Sequence, residues 1–454
     1  MKKFLSALLV IIMLLSITAC GSTTETPAAS EAPADAGAAS PAESAEPDYS
    51  MYEVNEPVTI TFWHNYSNEK RAAFLQEMCD KFHEENPLIT VDLVLIGGYP
   101  VIAEQVAGAL AAGGEGLPTL STMNTPRLQP FAASEIIEPL DPYLEAYGLD
   151  RSEYYEGMMD AMTYSDGQLY GLPFGISAGC CIYNKTLLDE LNLPFPETWE
   201  EFKVWCKDVT EATGKPAFGF AYDFNYLNTF FLNVTGIDPL GDGTVSALDD
   251  ERVISFVKDV RELVENGYAL YMGTSVNGAQ EDQQAAFKIG EIAAYTDTSS
   301  GIANIMKVVD FEVGTAIGVT GTDQAPISTV SGATLLVYAD NDQIEKNAAV
   351  QFLLFLTNAE NISRWAVDTG MFAVRPACDL SAMYEQYPGA EGVFEHADRI
   401  VAKNPSTAMQ KCMEAVAGVF GEYVKGNISE ADFDAQWANL KAEVDGMLAD
   451  AAAG

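Results

Sequence analysis

Three short runs in the first third of the chain, Trp63-His64-Asn65, Gly98-Tyr99 and Met123-Asn124, together combine aromatic faces with uncharged hydrogen-bonding groups. Rings of this kind bind the C–H faces of sugars, while amides and hydroxyls exchange hydrogen bonds with sugar OH groups. Thr298-Ser299-Ser300-Gly301 adds a fourth run at the start of a helical pattern, where backbone N–H groups lack partners within the helix. The competing reading of Trp63 and Tyr99 is that they cap the core. A catalytic reading finds little to work with. The histidines are His64, His83 and His396, and nothing matches G-x-S-x-G, H-E-x-x-H or a Cys-His spacing. A glycosidase needs only two carboxylates, but among 66 acidic residues a pair cannot be singled out by type. Asp238-Pro239-Leu240-Gly241-Asp242-Gly243 continuing to Asp249 is EF-hand-like at a few positions. However, Leu240 cannot ligate and the last position is Asp rather than Glu, so a tight surface turn is expected and no metal. No Walker-type loop is present. The expectation is a binder without cofactor.

The elements that must position these runs are legible from periodicity. Val58-Thr59-Ile60-Thr61-Phe62-Trp63 alternates as a strand does, and Ser67 or Asn68 can cap a helix carrying Phe74, Met78 and Phe82 on one face. Asn86-Pro87 ends that helix, and Ile89 to Ile96 forms a second strand closed by Gly97-Gly98. This β-α-β unit implies parallel strands with a right-handed crossover. A helix over 101–112 and a strand near Leu120 continue the alternation, so the fold class is α/β. In open α/β sheets ligands bind beyond the carboxyl ends of the strands, and that is where the first three runs stand. Past Asp166-Gly167, the stretch 176–184 reads as a strand crossing to a second sheet, and Thr198-Trp199-Glu200-Glu201 opens a helix with a capping box. Strands are expected over 311–319 and 330–338, and helices over 347–357 and 362–367.

The net charge of −42, from 66 acidic against 24 basic residues, repels nucleic acid and offers no general attraction to an anionic ligand. Seven cysteines include no C-x-x-C pair, and Cys180-Cys181 lies in an apolar stretch that suits buried thiols. At the N-terminus Lys2 and Lys3 precede an apolar run too short to span a bilayer, followed by Ile17-Thr18-Ala19-Cys20-Gly21. This resembles the bacterial lipoprotein box. The resemblance implies a signal peptide over 1–19 and a diacylglyceryl group on Cys20, whose paired chains suffice for stable membrane anchoring. From 20 to 56 the chain is rich in Ala, Pro, Ser, Thr and Glu and reads as a disordered tether. The remainder is long enough for two domains.

Taken in order, "ITFWHNYSNEK" from Ile60, "KFHEENP" from Lys81, "YGLPFGISAGCCIYNKTLLDELNLPFPETWEEF" from Tyr170, "FKIGEIAAYTDTSSGIANI" from Phe287, "SGATLLV" from Ser331 and "AAVQFLLFLTNAENISRWAVDTGMFAVRP" from Ala348 resemble the family-1 extracellular solute-binding proteins of ATP-driven (ABC) importers. That group includes the maltose-binding and glycerol-3-phosphate-binding proteins. The resemblance implies a two-lobed periplasmic-binding-protein-like fold of type II with three interlobe crossings. Lobe one would comprise 57–166 plus 311–359, and lobe two 167–310 plus 360–454. It implies a monomer that closes on a small solute and is recognised, closed, by an ABC permease in the membrane. The family's positions fall here on Tyr99, Asn124, Ser177, Thr298, Ser299, Ser300 and Gly332. They fall also on Met371, where the family's tyrosine is lost, and on Arg375, a candidate ligand contact whose alternative reading is the family's common structural arginine. Tyr222, Asp223 and Phe224 stand where the family supplies a stacking platform. Asn124 replaces an acid and Met371 a tyrosine, so a carbohydrate or polyol is expected ahead of glycerol 3-phosphate or a glycerophosphodiester. A secreted carbohydrate-active enzyme and a structural adhesin are the readings from other classes.

Overall fold

A computed structural model describes residues 48–273, 276–321, 323–403 and 406–453, apart from the side chains of Phe224, Asn225, Val276 and Asn277. The expected signal peptide, Cys20 and the tether up to residue 47 lie outside the described residues, as does the side chain of Phe224. In chain order the strands are β1 (Val58–His64), β2 (Ile89–Leu95), β3 (Leu120–Asn124), β4 (Leu172–Asn184), β5 (Phe218–Ala221), β6 (Ala269–Met272), β7 (Ala294–Thr298), β8 (Val313–Ala316), β9 (Ser328–Val337) and β10 (Ile400–Val401). β1 runs parallel to β2 and to β3. The helix Glu69–Glu85 makes the first crossover. It starts at Asn68, whose side chain accepts from Lys70 N, and it buries Phe74, Leu75, Met78, Cys79 and Phe82.

The strand order β2-β1-β3-β9-β4-β7-β5-β6 hides a division inside β4. Its first half, to Ala178, pairs with β9 and completes the first sheet. Its second half, from Gly179, pairs with β7 on one edge and β8 on the other, and β5 and β6 extend that second sheet. One strand of thirteen residues therefore carries the chain from one lobe to the other. The chain returns between β8 and β9, and leaves again after β10, which lies along Ser328 and Thr329 of β9. The C-terminal helices Met409–Val424 and Glu430–Ala453 then join the core built on Phe202, Phe218, Phe231, Phe256 and Val260. This is the two-lobed architecture that the α/β pattern and the resemblance implied.

Three expected boundaries are corrected. The tether ends before residue 49, not at 56. Ser50–Tyr52 form a 3₁₀ turn, Tyr52 packs edge-on against Tyr143 at 5.0 Å, and Asn347 Nδ2 donates to Met51 O at 2.8 Å. Aromatic side chains in an otherwise polar segment were the anchor. Residues 360–400 belong with the first sheet rather than with lobe two. On the helix Ala359–Thr369, Trp365 stacks on Phe174 at 4.5 Å and contacts Phe74 at 5.0 Å, and Arg364 Nη2 donates to Glu77 Oε2 at 2.7 Å. Conversely, β8 is shorter than expected and hydrogen-bonds to the second half of β4, so 313–316 belongs to the second sheet.

Candidate functional site

The place where β4 changes sheets brings Ser177, Gly332, Asn124 and Met371 together. Ser177 lies opposite Ser331, and Ile176 opposite Gly332. Gly332 holds φ +97°, and a Cβ there would stand 2.1 Å from Gly175 O, so only glycine lets β9 approach β4 so closely. Asn124, at the end of β3, pairs with Ala333, and its Oδ1 accepts from Arg127 Nη1 at 2.7 Å. Met371 stands beside this crossing, because Phe372 N donates to Ile176 O at 2.9 Å.

From the first lobe, β1 delivers His64, Asn65 and Tyr66. Tyr66 N donates to His64 Nδ1 at 3.3 Å, which leaves the ring proton on Nε2, and burial holds the imidazole below its ordinary pKa. His64 is therefore neutral at pH 7 and an N–H donor. The Tyr66 ring packs on Phe174 and Trp365, and its hydroxyl, buried without a hydrogen-bond partner, lies over Gly175. Tyr99 opens the helix Tyr99–Ala111 after Gly98, with Pro100 in the first turn, so it is a helix-start residue and not a strand end. Its hydroxyl lies near the Asn65 side chain, whose Oδ1 accepts from Thr122 Oγ1 at 3.1 Å. Burial raises the pKa of both tyrosines, so they remain donors.

From the second lobe, Thr298 caps the helix Ser299–Met306, and Thr298 Oγ1 and Ser300 Oγ share a hydrogen at 2.8 Å. Beneath this turn lies Asp297, fully buried. It accepts from Gln280 Nε2 at 2.6 Å, Gln284 Nε2 at 2.9 Å and Thr298 N at 2.7 Å. Burial raises its pKa against the pull of these bonds. A Cβ on Gly301 would meet that carboxylate at 2.6 Å, so glycine is what allows the helix to sit on it. Tyr226, on the helix Phe224–Thr235, packs against Gly179, which is paired with Thr298. Asp223, 5% exposed, begins the same helix beside Tyr222.

Three expected site residues are corrected. Arg375 is buried away from this region, where Nη1 donates to Glu153 Oε2 and Nη2 to Tyr154 OH, both at 2.7 Å, with the guanidinium 4.2 Å over the Tyr154 ring. Such a guanidinium is structural, because its charge is paired with Glu153 and its face covers the Tyr154 ring. Trp63 points to the face of β1 opposite Phe62 and His64 and packs partly buried against the core. Ser299 is fully buried and its Oγ accepts from Ala178 N at 3.3 Å, tying the helix to β4 instead of facing the cleft. The segment 238–249 is the expected turn: Asp238 Oδ1 accepts from Leu240 N at 2.8 Å and Asp242 Oδ1 from Thr244 N at 2.9 Å.

The residue that the sequence reading missed altogether is Lys403, on the crossing after β10. Burial pulls its ammonium down to about 8, opposed by the Asp223 carboxylate. As one of 24 basic residues, in a segment without periodicity, it carried no signal. Asp297 carried one, an acid inside the strand Ala294–Thr298 that follows the apolar Ile292-Ala293.

Residues 77–392 match the model of the family described as bacterial extracellular solute-binding protein. The sn-glycerol-3-phosphate-binding periplasmic protein UgpB of Escherichia coli strain K12 is 23% identical over 356 residues, covering 73% of this chain and 79% of that protein. Among solved structures, UgpB from Mycobacterium tuberculosis in complex with glycerophosphocholine aligns with TM-score 0.70 at 22% identity, covering 87% of this chain and 98% of that one. The sugar-binding protein MalE of Xanthomonas citri aligns with TM-score 0.74 at 20% identity and the same coverage of both chains.

Proposed function

The chain belongs to the bacterial extracellular solute-binding proteins, and from that premise we propose that it binds a carbohydrate or related polyol between its lobes and hands it to an ABC permease. The observation that carries this reading is the chemistry at the β4 crossing. The first lobe and the crossing supply hydroxyls, an amide and a neutral imidazole on Tyr66, Tyr99, Ser177, Asn65 and His64, and the second lobe supplies the hydroxyls of Thr298, Ser300, Tyr222 and Tyr226. Among the described residues, each cation near this region is already engaged: Lys403 lies within the field of Asp223, Arg127 donates to Asn124 Oδ1 and Arg71 stands over the Tyr66 ring. That suits vicinal hydroxyls better than a phosphate dianion, whose desolvation calls for uncompensated cations. Rings on both lobes can reach the two faces of a sugar only when the lobes close, so binding favours the closed form.

Under this reading the protein is a stoichiometric receptor and not an enzyme. It works outside the cytoplasm, held to the membrane by acylated Cys20. Among the described residues no helix is long and apolar enough to cross a membrane. A thermal-shift panel of mono- and oligosaccharides, polyols, glycerol 3-phosphate and glycerophosphocholine, followed by calorimetric titration, tests the proposal. Ligand at 100 times Kd stabilises by about 2.7 kcal/mol, a shift of several degrees. Saturable binding of a sugar or polyol at one per chain, without turnover, is expected. A response to the phosphorylated compounds alone would transfer the protein to the reading suggested by its curated relatives.

A further inference from the structure

A single charge stands behind the helix start that carries Thr298 and Ser300. Asp297, next to the end of β7, is fully buried. Its carboxylate lies against the first turn of the helix Ser299–Met306, since a Cβ on Gly301 would stand 2.6 Å from Oδ2 and 2.7 Å from Oδ1. The groups bonded to it, Thr298 N and the Nε2 atoms of Gln280 and Gln284, are uncharged donors. Among the described residues no cation offsets this carboxylate. Three N–H donors favour its ionised form, because a protonated carboxyl would have to find an acceptor for its own O–H.

A helix start ordinarily attracts anions: its first N–H groups lack partners, and the helix dipole places positive potential there. Here that potential is already met by a carboxylate built into the fold and packed within the same turn. A second anion arriving at this turn would share one helix end with the first and be repelled by it, whereas a neutral hydroxyl meets no such repulsion. The charge is felt beyond the turn. Tyr226, whose ring packs on Gly179, has its phenol pKa raised by burial and then by the Asp297 carboxylate. Repulsion of this kind rejects a wrong ligand without a new contact to the right one.

Resting on the carbohydrate reading above, we propose that Asp297 is a specificity-determining residue, whose buried negative charge refuses phosphorylated and carboxylated solutes and leaves Thr298 and Ser300 to neutral hydroxyls. It acts through the helix start, without contact to the solute. Gly301 is part of the device, because any side chain there would push the helix off the carboxylate.

The test is Asp297→Asn, which removes the charge and keeps the shape. Its oxygen still accepts from Gln280 and Thr298 N, and rotation of the Gln284 amide offers an oxygen to the new NH₂ group. Asp297→Ser is the second variant, should the first not fold. Wild type and variants are titrated calorimetrically with glucose, glucose 6-phosphate, maltose, sorbitol and glycerol 3-phosphate. Wild type is expected to bind a neutral compound at least tenfold more tightly than either phosphate ester. The variants are expected to move that ratio toward the esters by at least tenfold, about 1.4 kcal/mol. Wild type that takes esters and neutral compounds equally would overturn the proposal without any variant. A folded variant that leaves the ratio unchanged would also overturn it, and the carbohydrate reading stands if wild type binds a sugar or polyol. Wild type that binds only the esters would end both. A variant that gains ester binding where wild type takes none of the five compounds would support the role of Asp297 and tell against the carbohydrate reading alone.

Discussion

At the scale of single residues, the site is made by groups whose ordinary chemistry has been altered by where they sit. His64 is kept neutral by burial, and Asp297 is a buried carboxylate held by two glutamines and one backbone amide. Lys403 gives the clearest prediction. An unfolded lysine titrates near 10.4, whereas in the folded chain Lys403 is pulled down to about 8. Between those values the unfolded chain binds a proton that the folded chain lacks, so stability rises with pH across that window. Below pH 8 the penalty for a buried ammonium is fully present. Urea titrations of the unliganded protein at pH 7 and pH 10 should show the wild type gaining on Lys403→Met as pH rises. Equal slopes for the two proteins would mean that Lys403 is solvated. The position of this lysine was invisible in the sequence, because its burial and its Asp223 partner come from segments distant in the chain.

At the scale of elements, β4 and β9 do the work. β4 is buried through both its halves and serves two sheets, and β9 closes the first sheet against it. Their contact depends on Gly332. Alanine there would place Cβ 2.1 Å from Gly175 O and force a left-handed backbone on a residue that resists it. A loss of about 3 kcal/mol or more is expected, from strain and overpacking together. The measurement is chemical denaturation of Gly332→Ala beside Gly418→Ala, a helical glycine with open space around it, which should change stability by less than about 1 kcal/mol. Similar effects at both positions would count against the close-approach account. Strand periodicity was enough to locate β1, β2 and β9 to within a few residues. It could not reveal that one strand is shared between lobes, because an apolar run reads alike in either sheet.

At the scale of the whole molecule, charge sets what this chain can approach. A net charge of −42 repels acidic polymers, most strongly at low ionic strength. Among the described residues six cysteines are free and all but Cys378 are buried, so the fold relies on two large aromatic cores instead of disulfides. If Cys20 carries the lipid, Cys20→Ala should move the protein from the membrane fraction to the medium or periplasm while solute affinity is unchanged. Retention of the variant on membranes would remove the anchor from the proposal. Three crossing segments between lobes allow closure as a hinge motion, and addition of a bound saccharide should reduce the radius of gyration measured by small-angle scattering.

Local sequence determined the elements and the class of chemistry. Alternation along Val58–Trp63, the Asn68 and Thr198 caps, and a sheet-end supply of tyrosine, asparagine and serine are short-range facts, set by backbone geometry and side-chain type. Tertiary structure decided membership and exposure: that Trp365 joins the first sheet, that Ser299 and Arg375 are engaged in holding the fold, and that Lys403 and an unpaired Thr125 face a chamber. The physical reason is that burial and pairing are sums over residues distant in the chain, and no local pattern of residue types carries those sums.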